Sequence, residues 1–232
     1  MVMRTTDLDP LKNSVEEILT PEELDNLFAS EKPKKHYIGF EISGKVHLGS
    51  GLVTMLVIKE LQKLGVETTV FLADWHSFIN QKLGGDPVII RELAVDYFKE
   101  AMIASVLCVG ADPNKIKFIL ANDIYKNDYW QMVLDVASHV TISRSRRSTD
   151  IAGRVAGDDA STALLFYPMM QVADIFYMNI NLAHSGTDQR KAHVVARDVA
   201  DKLRLTKQNK PVAIHQHLLQ GEGIPGPHQG AG

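Results

Sequence analysis

Apolar positions along the chain alternate between short unbroken runs and longer stretches at helical spacing. The runs at residues 36–41, 68–73, 115–120, 179–183 and 211–215 read as strands. Between the first two, Leu52, Met55, Leu56, Ile58 and Leu61 recur at helical spacing, and Gly65 closes that helix as its left-handed end residue. Strand, helix and strand in immediate succession make a right-handed crossover, the seed of a parallel sheet. Thr20-Pro21-Glu22-Glu23 has a capping hydroxyl, a proline at the first helical position and a glutamate three residues after the cap, so a short helix to about Ser30 is expected. Asp86-Pro87 starts a helix to about Leu107, others are expected over about 128–140 and up to about Leu203, and Asp158-Asp159-Ala160-Ser161 reads as a turn or cap. The pattern predicts an α/β fold, a Rossmann-like parallel sheet flanked by helices. A polar hinge at 31–35 separates an N-terminal helical segment, 1–34, from a main domain, 35–220; the Gly/Pro-rich end, 221–232, has no periodicity and is expected to be disordered.

Composition narrows the classes. With 232 residues, 45% of them hydrophobic and 23% charged, the chain can bury one sizeable core. A net charge of −3 and a pI near 6.3 argue against a generally basic nucleic-acid coat, so a nucleic acid has to be met by a local patch. The densest cationic cluster is Arg144, Arg146 and Arg147, for which a solvated face and phosphate contact both stand. The lone Cys108 lies in the apolar run 104–109 and is expected as a packed core thiol rather than a nucleophile. No apolar run approaches the ~20 residues that span a bilayer, the start lacks an apolar signal core, and a reducing cytoplasm is the expected location. Histidines without cysteine partners at zinc spacing predict no metal site, and the P-loop pattern is absent.

Candidate chemistry gathers where predicted strands end. The stretch from His36 to Ser50 runs from strand through a glycine-broken turn, with His47 and Gly49 at the junction, into a helix start. Unpaired N–H groups there carry partial positive charge and suit a phosphate ester, although a plain strand-to-helix loop has the same pattern. The stretch Asp74 to Gln81, with His76, follows the carboxyl end of the second strand, where open α/β sheets place ligand groups. If Leu164–Tyr177 is a helix with Pro168 in its first turn, Tyr167, Gln171 and Asp174 stand at i, i+4 and i+7 and project from one face among Leu, Phe, Met and Ile. Such buried polar groups either bond one another or receive a polar ligand. A second strand-to-helix turn follows at 184–193, with Thr187 as a cap and Asp188 and Gln189 at the ligand edge.

Several segments in order carry a resemblance: Tyr37-Ile38-Gly39-Phe40-Glu41, Gly44-Lys45-Val46-His47-Leu48-Gly49, Leu72-Ala73-Asp74-Trp75-His76, Arg144 to Ser148, Tyr167-Pro168-Met169-Met170-Gln171-Val172-Ala173-Asp174-Ile175 and Asp188-Gln189-Arg190-Lys191-Ala192-His193. Over about residues 14–220 the chain resembles class I aminoacyl-tRNA synthetases, and more closely the tyrosyl-tRNA synthetases of archaeal and eukaryotic type. The resemblance implies activation of L-tyrosine by ATP, with accompanying Mg2+, and transfer to tRNA(Tyr). It implies that Tyr37 and Asp174 bind the substrate phenol, that Tyr167, Gln171 and Gln189 hold its α-amino end, and that His76 and Ala73 belong to the same pocket. Gly39, Glu41, His47, Gly49, Gly186 and Asp188 would meet ATP, with His47 and Ser50 serving the phosphates, and Arg144, Arg146 and Arg147 the acceptor stem. It further implies a homodimer formed through a helical connective insertion at about 115–150.

Three departures stand out. Ser50 replaces the second histidine of the family's HIGH signature, Ile42 stands where proline is usual, and the lysine-bearing KMSKS loop and anticodon-binding domain do not follow Gly221. Weakened ATP handling, tyrosine binding retained and slowed adenylate formation are the corresponding expectations. Two other classes share parts of the pattern: a related adenylyl-transferring enzyme such as a tryptophanyl-tRNA synthetase, and a non-catalytic tyrosine- or tRNA-binding paralogue. A phenol needs donor and acceptor together, and the Tyr37/Asp174 pairing favours tyrosine over an indole.

Overall fold

A computed structural model describes residues 5–149 and 161–218; the expected turn at 158–160 and tail at 221–232 lie outside the described residues. In chain order the elements are α1 (Asp9–Asn13), β1 (Glu17–Leu19), α2 (Pro21–Ala29), β2 (Lys35–Phe40), α3 (Thr54–Lys63), β3 (Glu67–Leu72), α4 (Asp74–Ile79), α5 (Pro87–Leu93) and α6 (Lys99–Cys108). Then follow β4 (Ile116–Leu120), α7 (Ala121–Ile124), α8 (Asn127–Ala137), α9 (Ile142–Thr149), α10 (Thr162–Tyr177), β5 (Leu182–Gly186), α11 (Arg190–Val199) and β6 (Val212–Gln216).

The predicted crossover is β2-α3-β3, with Tyr37 opposite Thr69 and Ile38 opposite Val70 in parallel register. Side chains alternate across the sheet: Tyr37 and Phe71 enter the layer under α8, α10 and α11, while Ile38, Val70 and Leu72 enter the layer with Met55, Ile58 and Met102. Local signals act as expected. Gly65 ends α3 at φ +71°, and Asp86 caps α5 by accepting from Val88 N at 2.8 Å and Ile89 N at 3.2 Å.

Strand order is β1-β6-β5-β2-β3-β4. The sheet is therefore mixed where a parallel one was expected: β6, β5, β2, β3 and β4 run parallel, and β1 pairs antiparallel with β6, Ile18 opposite Ile214. A strand as short as Glu17-Ile18-Leu19 shows no alternation to read, and it is held by pairing with a distant edge. From β2 the chain winds outward through β3 and β4, then returns to place β5 on the other side of β2. That reversal opens a crevice beyond the carboxyl ends of β2 and β5.

Other expectations shift. Pro168 is interior to α10, because Ser161 caps the helix by accepting from Ala163 N at 3.2 Å and starts it earlier than the proline suggests. Strand β5 begins at Leu182 rather than 179, because Asn179 turns the chain at φ +54° after α10. Thr187 sits in a tight turn ahead of α11, which ends at Val199 before a further turn at Ala200–Lys202. Cys108 is exposed, not packed: α6 buries Met102 and Val106, and a residue two positions further points away from that face. No described helix is long and apolar enough to cross a membrane.

Candidate active site

A cleft of about 400 Å³ lies at this strand reversal. Four segments wall it: the end of β2 with Tyr37, Gly39 and Glu41, the following turn with His47, Gly49 and Ser50, α10 with Tyr167 and Gln171, and the end of β5 with Gly186, Asp188 and Gln189. These predicted residues, separated by up to most of the chain, are thus brought together. Asp174, His76 and Ala73 do not line the cleft but are buried beneath it. The arginine cluster does not line it either; α9 carries it, with Arg144 paired to Asp198 of α11.

At the mouth, His47 and Ser50 fix one another. The His47 N–H donates to Ser50 Oγ at 3.2 Å, Ser50 Oγ donates to the His47 carbonyl at 3.2 Å, and the Ser50 N–H approaches His47 Nδ1 at 3.4 Å. Ser50 thus shapes the backbone that presents the exposed imidazole. Ile42 also has a local reason: its N–H donates to Ser77 Oγ at 2.7 Å, a bond that proline cannot make. Gly39 is required by close approach, since a Cβ there would lie 2.7 Å from Tyr37 Oη.

The floor is polar and sealed. Asp174 has no solvent exposure, and Oδ1 accepts from Tyr125 Oη at 2.8 Å and Tyr129 Oη at 3.0 Å, while Tyr37 Oη lies 3.4 Å from Oδ2. Burial lifts its carboxyl to about 7, against the pull of those three phenols. His76 Nε2 is 3.9 Å from Oδ2, but burial holds that imidazole down to about 4, so the contact is no ion pair at neutral pH. Burial, with Asp174 beside it, pushes the Tyr37 phenol well above its ordinary range. Tyr167 is raised likewise, by burial and by Glu41, which accepts its hydrogen bond. Glu41 also accepts from Asn80 Nδ2 at 2.8 Å and pairs with Lys82 at 3.3 Å.

The stripe predicted on α10 is therefore real but serves two places: Tyr167 and Gln171 face the cleft, and Asp174 faces the buried phenols. Sequence reasoning missed Tyr125 and Tyr129, the first in the connection after α7 and the second on α8, so that no helical spacing signalled them, and the cations Lys45 and Lys82 at the cleft wall. Among the described residues no group of three or more His, Cys, Asp or Glu is placed to hold a metal.

The family model for tRNA synthetases class I (W and Y) matches residues 29–222. A tyrosine--tRNA ligase of Pyrococcus horikoshii is 53% identical over 218 residues, which is 91% of this chain and 58% of the relative. One from Pyrobaculum calidifontis is 46% identical over 222 residues, 92% of this chain and 60% of that relative. The chain thus spans about 58% of the length of the Pyrococcus relative. A crystal structure of tyrosyl-tRNA synthetase complexed with L-tyrosine from Pyrococcus horikoshii superposes with a TM-score of 0.92 at 50% identity, covering 98% of this chain and 64% of that one. A Plasmodium falciparum tryptophanyl-tRNA synthetase, 18% identical with a TM-score of 0.71 over 93% of this chain and 61% of its own, shares the fold. A crevice at the strand reversal, a histidine-bearing turn at its mouth and the matched family model lead to one conclusion: the chain belongs to the tRNA synthetases of class I (W and Y).

Proposed function

We propose that this domain activates L-tyrosine with ATP and passes the tyrosyl group to tRNA(Tyr). The observation that carries the reading is the buried carboxylate of Asp174 beside the Tyr37 phenol under a cleft at the β2/β5 reversal. A substrate phenol entering between them donates to Asp174 and accepts from Tyr37. Phenylalanine in the same slot leaves both groups buried without that partner, which costs their desolvation. An indole N–H donates only, so it satisfies Asp174 and leaves Tyr37 unmatched.

The amino group of the bound tyrosine reaches Tyr167, Gln171 and Gln189 at the other end of the slot. Its carboxylate oxygen attacks the α-phosphorus of ATP, the bond to the bridging oxygen breaks, and pyrophosphate departs with its Mg2+. Gly49 leaves room for the nucleotide, Gly39 and Gly186 line it, and Asp188 stands near its ribose. His47, held by Ser50, stabilises charge building on the phosphates, an electrostatic rather than acid–base role. The enzyme aligns two reactants and forms no covalent bond to either. A terminal tRNA hydroxyl then attacks the tyrosyl carbonyl and AMP leaves. Arg146 and Arg147, both exposed on α9, supply phosphate contacts for the acceptor stem, and a second copy of the chain completes a dimer through residues 115–150. The cytoplasm, where these substrates meet, is the corresponding location.

Calorimetric titration with L-tyrosine, L-phenylalanine and L-tryptophan tests the reading. Tyrosine bound far more tightly than phenylalanine or tryptophan, with that preference lost in Asp174→Ala while the fold persists by circular dichroism, is the expected result. Equal binding of tyrosine and phenylalanine, or of none, refutes it. Pyrophosphate exchange into ATP that depends on tyrosine then tests the chemical step.

A further inference from the structure

The phenols beneath the cleft are arranged asymmetrically around Asp174. Tyr125, just beyond α7, and Tyr129, on α8, stack with ring centroids 3.7 Å apart and planes 11° apart, and both reach Oδ1, at 2.8 and 3.0 Å. Oδ2 is approached by Tyr37 Oη at 3.4 Å, long for a hydroxyl hydrogen bond, and by a neutral His76. One oxygen is thus doubly engaged and the other loosely held. We propose that Tyr125 and Tyr129 are positioning residues for tyrosine recognition, occupying Oδ1 so that Oδ2, beside Tyr37, is the acceptor left for a substrate hydroxyl. This rests on the tyrosine reading of the cleft.

Proton counting supports the arrangement. Tyr129 Oη also lies 3.2 Å from the Met170 carbonyl, so its single proton has two acceptors. With Asp174 ionised, Tyr125 and Tyr129 both donate to Oδ1. With Asp174 protonated on Oδ1, Tyr129 turns its proton to Met170 O and accepts from the carboxyl. The network therefore has a complete bonding pattern for each charge state, and the phenol donors favour the ionised one, which accepts from a substrate. The titratable groups facing Asp174 are Tyr37 from β2, His76 from α4, Tyr125 from the α7–α8 connection, Tyr129 from α8 and, farther off, Tyr167 on its own helix.

Removing one donor should weaken the ionised form and little else. The test compares the wild-type chain with Tyr125→Phe, Tyr129→Phe and Asp174→Asn. The Asp174 carboxyl is followed by carbon-13 NMR against pH and identified by its absence in Asp174→Asn. The expected result is a midpoint raised by about one pH unit in each phenylalanine variant, with tyrosine affinity at pH 7 reduced about fivefold, as the ionised fraction falls from about one half to about one tenth, and phenylalanine affinity unmoved. An unmoved midpoint, or equal losses for tyrosine and phenylalanine, would overturn the proposal; a merely structural role gives the second. Should Tyr129→Phe fail to fold, Tyr125→Phe decides alone. A wild-type chain that binds no tyrosine would overturn the substrate reading instead, and the carboxyl midpoint would still decide whether the phenols hold Asp174.

Discussion

Acid should destabilise this fold through its buried histidines, by an amount that follows from where they sit. His36 on β2 and His184 on β5 share a hydrogen bond, Nε2 to Nδ1, of 3.1 Å; His193 on α11 and His215 on β6 share another of 3.0 Å. All four rings are buried. Each bond needs one nitrogen as donor and one as acceptor, so charging both members of a pair leaves two protons facing. Burial holds His36 down to about 3 and His76 to about 4, and His184 and His193 well below the ordinary imidazole range. A histidine whose native pKa is depressed takes up its proton more readily when unfolded, so stability is intact above about pH 6.5 and falls as the pH drops below it.

Each such group forfeits about 1.4 kcal/mol per pH unit, or about 2 kcal/mol between pH 6.5 and pH 5. His36 and His76 together lose about 4 kcal/mol, and His184 and His193 add in the same direction. Asp174 opposes them. Its carboxyl, raised to about 7 by burial, takes up its proton in the native state as the pH falls while the unfolded carboxyl stays ionised, which returns about 2.5 kcal/mol between pH 8 and pH 5. Asp74, raised by burial against the pull of Arg91, acts in the same sense. The clean measurement is therefore a difference. Urea unfolding of wild type and His36→Gln at pH 8 and pH 5 should show the wild type losing about 2 kcal/mol more than the variant across that interval, whatever the variant's stability at pH 8. Parallel losses in the two proteins would refute the assignment of a depressed, neutral His36.

Three further outcomes are expected. Gly39→Ala sets a Cβ 2.7 Å from Tyr37 Oη, and displacing that phenol should lower tyrosine affinity about tenfold by calorimetry; an unchanged affinity would mean the phenol is not a recognition group. Arg91→Ala strips Asp74 of a 2.9 Å partner, leaving the buried carboxylate with the Asn122 N–H at 3.1 Å; the pair is open to solvent on the arginine side, so a cost of about 2 kcal/mol is expected in urea unfolding. Asp86→Ala releases two backbone N–H groups at the start of α5 and should cost about 1 kcal/mol in the same assay.

What could be read along the chain was what is local to it. The crossover β2-α3-β3 is written as an apolar run, a helical period, a closing glycine and another run, and each signal is satisfied within a few residues of itself. Strand β1 has no such signal, because its conformation is set by His215, Ile214 and Ala213 across the sheet, nearly two hundred positions away. The site divides along the same line. Tyr167, Gln171 and Asp174 were visible as one stripe because a helix converts fixed spacing into a shared face. The spacing left mutual bonding or a ligand open; the three side chains do not bond one another, and no pattern within α10 could show what each of them meets instead. Asp174 is satisfied by phenols delivered from β2, the α7–α8 connection and α8, whereas Gln171 opens on the cleft because β5 returns beside β2 instead of extending the sheet past β4. Strand order is thus what turns a polar stripe into a pocket with a floor. It is also why the segments that carried the family resemblance, each unremarkable as a loop or helix start, are informative only in their order along the chain.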